Sequence, residues 1–212
     1  FSGKVEYGQG IRSGFTIAIA DELDLPLASV RLILGDTDLV PVDSGTTGSA
    51  STKEIGGQLR RAAATARRAL VALAAERWTV DSSSLATSDG HVFQSGEPGQ
   101  RVSYADLLQS QDLHVTIPED IATKGPDEFR LIGRDLPRID AFARVTGQAK
   151  YSQDILIEGM LYGKMLRPPS YGALIQQIDT SGAERAPGLV MLIQEDDFVG
   201  VICEREDDAE YA

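Results

Sequence analysis

The sequence predicts an α+β protein built from two units. Three observations carry this. Apolar residues recur at helical spacing in the first 80 residues; short strand-like runs separated by Gly and Pro fill the last 75; and residues 113–135 between them hold mixed polarity, two prolines and no clean period. The expected division is 1–112, a linker at 113–135, and 136–212.

The elements of the first unit follow in order. "GKVEY" alternates enough for a strand, and Ile11, Phe15, Ala18, Ile19 and Leu23 form one helical stripe. Pro26 ends that helix, Val30, Leu32 and Leu34 suit another strand, and Asp36 opens the polar loop "DTDLVPVDSGTTGSAS". The longest helix is expected from about Ser51 to Trp78, with Ile55, Leu59, Ala62, Ala66, Leu70 and Leu73 on one face and Arg60, Arg61, Arg67 and Arg68 largely off it. Its start, "STKE", has the Ser51-to-Glu54 spacing of a capping box. Beyond it lie two short strands around an Asp89-Gly90 turn and a helix capped by Ser103. In the second unit one helical piece is expected near "SGAERA".

Bulk properties exclude several functions. With 42% hydrophobic residues in 212, the chain can bury a real core, and no apolar run approaches the roughly 18 residues that cross a bilayer. The single cysteine, Cys203, excludes an internal disulfide, a cysteine-ligated zinc site and an iron–sulfur cluster made by this chain alone. It lies in apolar "VGVICE" and reads as a buried structural thiol. Of the net charge of −12, residues 195–212 supply −7, through eight acids against Arg205; such a patch repels phosphate backbones, so no nucleic-acid partner is expected. Residue 1 is Phe and "FSGKVEYG" would sit naturally inside a longer chain, so a fragment is expected.

Two loops are candidate anion cradles. "GQGIRSG", Gly8 to Gly14, stands between strand and helix signals and imitates a dinucleotide-binding turn, although Lys4 and Glu6 are out of place in a strand buried on both faces. "SGTTGSAS" brings the hydroxyls of Thr46, Thr47, Ser49 and Ser51 to the positive end of the long helix. His91 and His114 lie in unrelated contexts with no metal-ligand spacing and no nucleophile–base pairing, so neither a metal site nor catalytic residues are assigned.

The stretches "GKVEYGQGIRSGFTIAIADELDLPLASVRLILGDTDLVP" and "GTTGSASTKEIGGQLRRAA" resemble the molybdopterin-binding subunits of the xanthine dehydrogenase and aldehyde oxidase family, in the manner of the isoquinoline 1-oxidoreductase large (beta) subunits. "RLIGRDLPRIDAFARVTGQAKYSQDILIEGMLYGKMLRPPSYGA" resembles the start of that family's α/β hammerhead domain. The resemblance implies a partial molybdopterin-binding domain followed by a truncated hammerhead-like domain. It also implies a molybdenum hydroxylase acting on an N-heteroaromatic or aldehyde substrate. Its cofactor would be molybdopterin, in bacteria as the cytosine dinucleotide, with iron–sulfur clusters on a small partner subunit. Carried over by motif, the cofactor contacts are Gly8, Gln9, Gly10, Thr46, Gly48, Ser49 and Ser51. The family's general-base glutamate segment and its second glycine-rich loop are not found, so the isolated chain is expected to be inactive. A non-catalytic scaffold and a nicotinamide-dinucleotide oxidoreductase stay open as alternatives. So does location, whether cytoplasmic or periplasmic.

Overall fold

A computed structural model describes residues 1–109 and 112–212. The chain mixes helix and sheet and divides into two compact units, Phe1–Ala149 and Lys150–Ala212. Residues 113–149 thus belong with the first unit, whereas the sequence pattern puts the start of the second at 136.

In the first unit, α1 (Ile11–Leu23) lies against a long helix that begins as a π-turn at Thr52–Gly56 and continues as α2 (Gly57–Trp78). Ile11, Phe15 and Leu32 form one small core, closed by Ile19, Leu34, Ile55 and Leu59. The other core joins α2 to an antiparallel sheet: β1 (Leu85–Ser88), β2 (His91–Gln94) and β3 (Glu97–Ser103), with α3 (Tyr104–Leu108) following. Leu70 and Ala74 of α2 meet Val92, Val102, Tyr104 and Leu107 there. The β1–β2 turn is Asp89-Gly90, both at positive φ, and Ser103 accepts the Asp106 amide as the α3 cap, as the sequence predicts. Burial pushes the Tyr104 hydroxyl up to about 12, so it stays a donor, to the carbonyl of Leu23.

Several expectations are corrected. The two predicted early strands reduce to one parallel bridge between Ser2 and Leu34. Ser51 already has helical backbone angles and makes no capping hydrogen bond, so the capping box is absent; the helix begins at Ser51, and the Ala50 carbonyl accepts the Glu54 amide. The buried face of α2 is also made of smaller residues than the predicted stripe, with Ala63, Ala64, Thr65, Ala74 and Ala75 beside Leu70.

The stretch 113–135 lacks regular structure apart from a short 3-10 turn, yet it is tied down by charge. Asp21 accepts the amides of Arg130 and Ile132 at 2.9 Å each. Glu22 accepts the Lys124 amide at 2.7 Å and the Arg60 guanidinium at 3.1 Å. The Lys124 ammonium donates to Asp24 at 2.6 Å and to the Asp21 carbonyl at 2.5 Å. Arg60 and Arg61 donate to the carbonyls of Lys124, Pro118 and Glu119. All three acids and Lys124 are buried, an arrangement that is sound only because each charge meets a partner.

A short helix, α4 (Ala141–Val145), ends the first unit, and the second unit is an antiparallel sheet of β4 (Tyr162–Met165), β5 (Leu189–Glu195) and β6 (Phe198–Cys203) in the order β4-β6-β5, followed by α5 (Glu206–Tyr211). The helical piece near "SGAERA" is a 3-10 turn at Ala183–Arg185. Cys203 is fully buried, and burial first, then Asp208, holds its thiol above the usual range, so it is structural as expected.

Candidate cofactor-binding site

The site is assembled by the first residues of the chain. Lys4 donates its ammonium to Asp43 at 2.7 Å and to the Gly45 carbonyl at 2.6 Å, and the Val5 amide donates to the Thr46 hydroxyl at 2.8 Å. These bonds pin the loop 43–46 beside residues 4–5. The two candidate cradles, distant in sequence, thereby become neighbours.

Between them lies an open cavity of about 390 Å³, lined by Tyr7, Gln9, Ile11, Thr46, Thr47, Gly48, Ser49, Ser51 and Thr52. Five of the seven carried-over residues, Gln9, Thr46, Gly48, Ser49 and Ser51, meet here. Gly8 and Gly10 do not line it; they shape the loop that carries Gln9. Their φ angles of 117° and 89° lie in the region glycine adopts without penalty, and a side chain added at Gly8 would come within 3.1 Å of Arg144. Ser49, with φ 55°, holds a left-handed backbone that costs a non-glycine residue on the order of 1–3 kcal/mol, a form of strain that collects at ligand sites.

Gln9 is already oriented. Its Oε1 accepts the Tyr7 amide at 2.6 Å and its Nε2 donates to the Val5 carbonyl at 2.9 Å. An amide oxygen has two lone pairs and an amide nitrogen two hydrogens, so one acceptor and one donor position remain on a fixed side chain. Among the described residues no charged side chain lines the cavity. Negative charge there would be met by hydroxyls and by the amide end of the helix running to Trp78.

The N-terminus of α1 holds an anion of its own. Glu6 accepts the amides of Gly8 at 2.7 Å, Gly10 at 2.9 Å and Arg12 at 3.0 Å. Behind it stand Arg138 and Arg144, each 3.6 Å from Glu6, and Asp140, which both arginines also contact. Arg138 further donates to the Gly8 carbonyl at 2.9 Å. The turn that imitates a dinucleotide fingerprint is therefore filled from inside, and a pyrophosphate placed there would contend with a carboxylate. This removes the structural basis of the nicotinamide reading.

Burial works to raise the Glu6 carboxyl, but the Gly10, Arg12 and Gly8 amides outweigh it and the value falls below the ordinary one. The hydrogen bond from Arg138 holds Asp140 far lower still, against burial and with help from Arg144. A carboxylate whose folded value is depressed contributes stability that is complete above the unfolded value, about 4, and is lost as pH falls through the folded one. Amide exchange protection at Gly8, Gly10 and Arg12, corrected for intrinsic rate, is thus expected to be level from pH 7 to 5 and to fail only below about 4. Failure already between pH 6 and 5 would contradict this assignment of charges.

Sequence reasoning noted Lys4 and Glu6 only as charges out of place in a strand, without these roles, and missed Arg138 and Arg144. The available signal was the pair of charges in "GKVEY", in a position where a buried strand would exclude them. Among the described residues no cluster of His, Cys, Asp and Glu could hold a metal ion, and no helix is long and apolar enough to cross a membrane.

Comparison with known proteins supplies the family. Residues 1–137 match the molybdopterin cofactor-binding domain family. A nicotinate dehydrogenase subunit from Pseudomonas putida KT2440 is 36% identical over 99% of this chain and 18% of its own length. The beta subunit of isoquinoline 1-oxidoreductase from Brevundimonas diminuta is 31% identical over 87% of this chain and 29% of its own. A membrane-bound aldehyde dehydrogenase (pyrroloquinoline-quinone) of Gluconacetobacter polyoxogenes is 32% identical over 92% of this chain and 26% of its own. The chain thus spans less than a third of the length of these relatives. It belongs to the molybdopterin cofactor-binding domain family.

Proposed function

We propose that this chain supplies part of the pyranopterin site of a molybdenum hydroxylase, and that the cavity between the Gln9 loop and Thr46–Thr52 receives the cofactor. The observation that carries the reading is the convergence of an oriented primary amide, a row of hydroxyls and a helix start on one uncharged cavity. A pterin presents alternating donors and acceptors, which suits the spare positions of Gln9, and a phosphate suits the amides and hydroxyls near Ser49 and Ser51. When bound, the molybdenum–pterin group would supply the redox chemistry that places a water-derived oxygen on an electron-poor carbon. Gly8 and Gly10 let the Gln9 backbone bend toward the cavity, and Thr46 holds the two loops together through Val5.

The names of the relatives support an N-heteroaromatic or aldehyde substrate for the whole protein. The cytosine dinucleotide form of the cofactor and an iron–sulfur small subunit as electron acceptor complete the proposal. The unit Lys150–Ala212, with its β4-β6-β5 sheet, is read as the compact part of the hammerhead-like domain that the sequence pattern begins at 136. No catalytic residue is assigned to this chain, and the chain alone is expected to turn over neither aldehydes nor N-heteroarenes.

Elemental and pterin analysis of the whole protein purified from its host tests the reading. Molybdenum and pterin in equal amounts, with iron in a co-purifying subunit, is the expected result. A protein with neither molybdenum nor pterin, and partners without iron, would instead make this chain a scaffold.

A further inference from the structure

The strongest unassigned feature is the charged cluster behind the Gln9 loop. Glu6 gathers three donors of that loop, the amides of Gly8, Gly10 and Arg12, within 3.0 Å. Its side chain is 10% exposed, and the two arginines that face it come from more than 130 residues later in the chain. Arg138 forms a two-pronged pair with Asp140, at 2.8 and 2.9 Å, while Arg144 reaches the same carboxylate at 2.7 Å from one turn further along α4 (Ala141–Val145). Arg138 also holds the Gly8 carbonyl, and the Ile139 amide donates to Ser13 near the start of α1. The loop is therefore gripped on its amide side by Glu6 and on its carbonyl side by Arg138, and the segment 138–144 stands behind both.

We propose that Glu6 is a positioning residue for the cofactor cavity: its carboxylate, backed by Arg138, Asp140 and Arg144, sets the shape of the Gly8–Gly10 loop and so the direction of the Gln9 amide. The inference rests on the assignment of that cavity to the cofactor. The physical reasoning is that the Gln9 loop has two left-handed glycines, one on each side of Gln9, and would sample many shapes if left to itself. The two bonds Gln9 makes fix its side chain against Val5 and Tyr7 and leave the backbone of the two glycines unheld. The Glu6 cluster holds it, because a carboxylate accepting three amides with two guanidiniums beside it is a charge-assisted network. The lowered Glu6 and Asp140 carboxyls accord with it, since both stay ionised at neutral pH.

The test uses the whole enzyme with three sets of changes. Glu6→Gln keeps the shape but replaces one accepting oxygen by a donor facing amides. Arg138→Gln with Arg144→Gln leaves Glu6 in place and removes its backing. Gln9→Ala is the reference for the cavity itself. Expected for Glu6→Gln is about tenfold or more faster amide exchange at Gly8, Gly10 and Arg12, with a severalfold fall in pterin and molybdenum content and a melting temperature lowered by only a few degrees, the fold being kept. The arginine pair should show the same pattern more weakly. If Gln9→Ala lowers cofactor content while Glu6→Gln leaves both content and exchange as they were, the positioning role is wrong and the cavity assignment stands. If exchange quickens in Glu6→Gln but content holds, the cluster is structural only and the proposal is likewise overturned. If neither Gln9→Ala nor Glu6→Gln lowers content, the cavity assignment fails, and the positioning role with it.

Discussion

Replacing Lys124 by Ala is expected to lower the stability of the unit 1–149 by about 3–5 kcal/mol. The side chain is 6% exposed and its ammonium lies 2.6 Å from Asp24, itself 4% exposed. Taking a charge out of water is costly, and a buried pair offsets that cost only while both members are present. Without Lys124, Asp24 keeps the Thr87 hydroxyl at 2.6 Å and Arg130 at 3.3 Å, a guanidinium that is more than half exposed and screened by solvent. The carbonyl of Asp21 loses a donor as well. The cost should therefore fall toward the lower end of that range, and Lys124→Met combined with Asp24→Leu should recover part of it, because an apolar pair leaves no orphan charge. Lys53→Ala, at an exposed position in the first turn of the long helix, is the control and should stay within about 0.5 kcal/mol of the parent. Denaturant unfolding followed by helix signal measures all of these variants against the parent, and a Lys124→Ala midpoint equal to that of Lys53→Ala would show that the buried network does not hold the segment down.

That network marks where the sequence stopped being legible. The body of α2, the Asp89-Gly90 hairpin and the Ser103 cap could be read because each depends on residues within a few positions of one another: a 3.6-residue period, a two-residue turn, a hydroxyl three places before an amide. Asp21, Glu22 and Asp24 look like the wet end of a helix, and their partners Lys124, Arg130 and Ile132 stand about 100 residues away in a stretch with no period at all. A linker was the natural expectation there. The surplus of arginines on α2 was the neglected clue, since Arg60 and Arg61 are half-buried and direct their donors to backbone carbonyls of that stretch.

The candidate site divides in the same way. The grouping of Gln9 with Thr46, Gly48, Ser49 and Ser51 came from motif resemblance and from two helix starts in one small unit, and the fold brings those five residues to one cavity. The roles within it changed. α1 needs no outside anion, because Glu6 fills its amide end; Ser51 is not a cap, because the helix runs through it. Both points depend on backbone angles, which residue types constrain only loosely away from glycine and proline.

These corrections sharpen the decisive measurement, the cofactor content of the whole enzyme carrying Gln9→Ala, Ser49→Ala and Ser51→Ala together. Gln9 offers one fixed donor and one fixed acceptor, and the two serines stand in the cavity wall at the start of the long helix. Each hydrogen bond to the cofactor is worth about 1 kcal/mol, so removing several should lower affinity by tenfold or more. Since Ser51 makes no capping bond, the helix should keep its stability, and a fall in cofactor could not be ascribed to unfolding. Molybdenum and pterin are assayed per protein, with circular dichroism to confirm the fold. The account predicts a well-folded enzyme with clearly less molybdenum and pterin than the parent; parental content of both in the triple variant would contradict it and leave the cavity an ordinary gap between two loops.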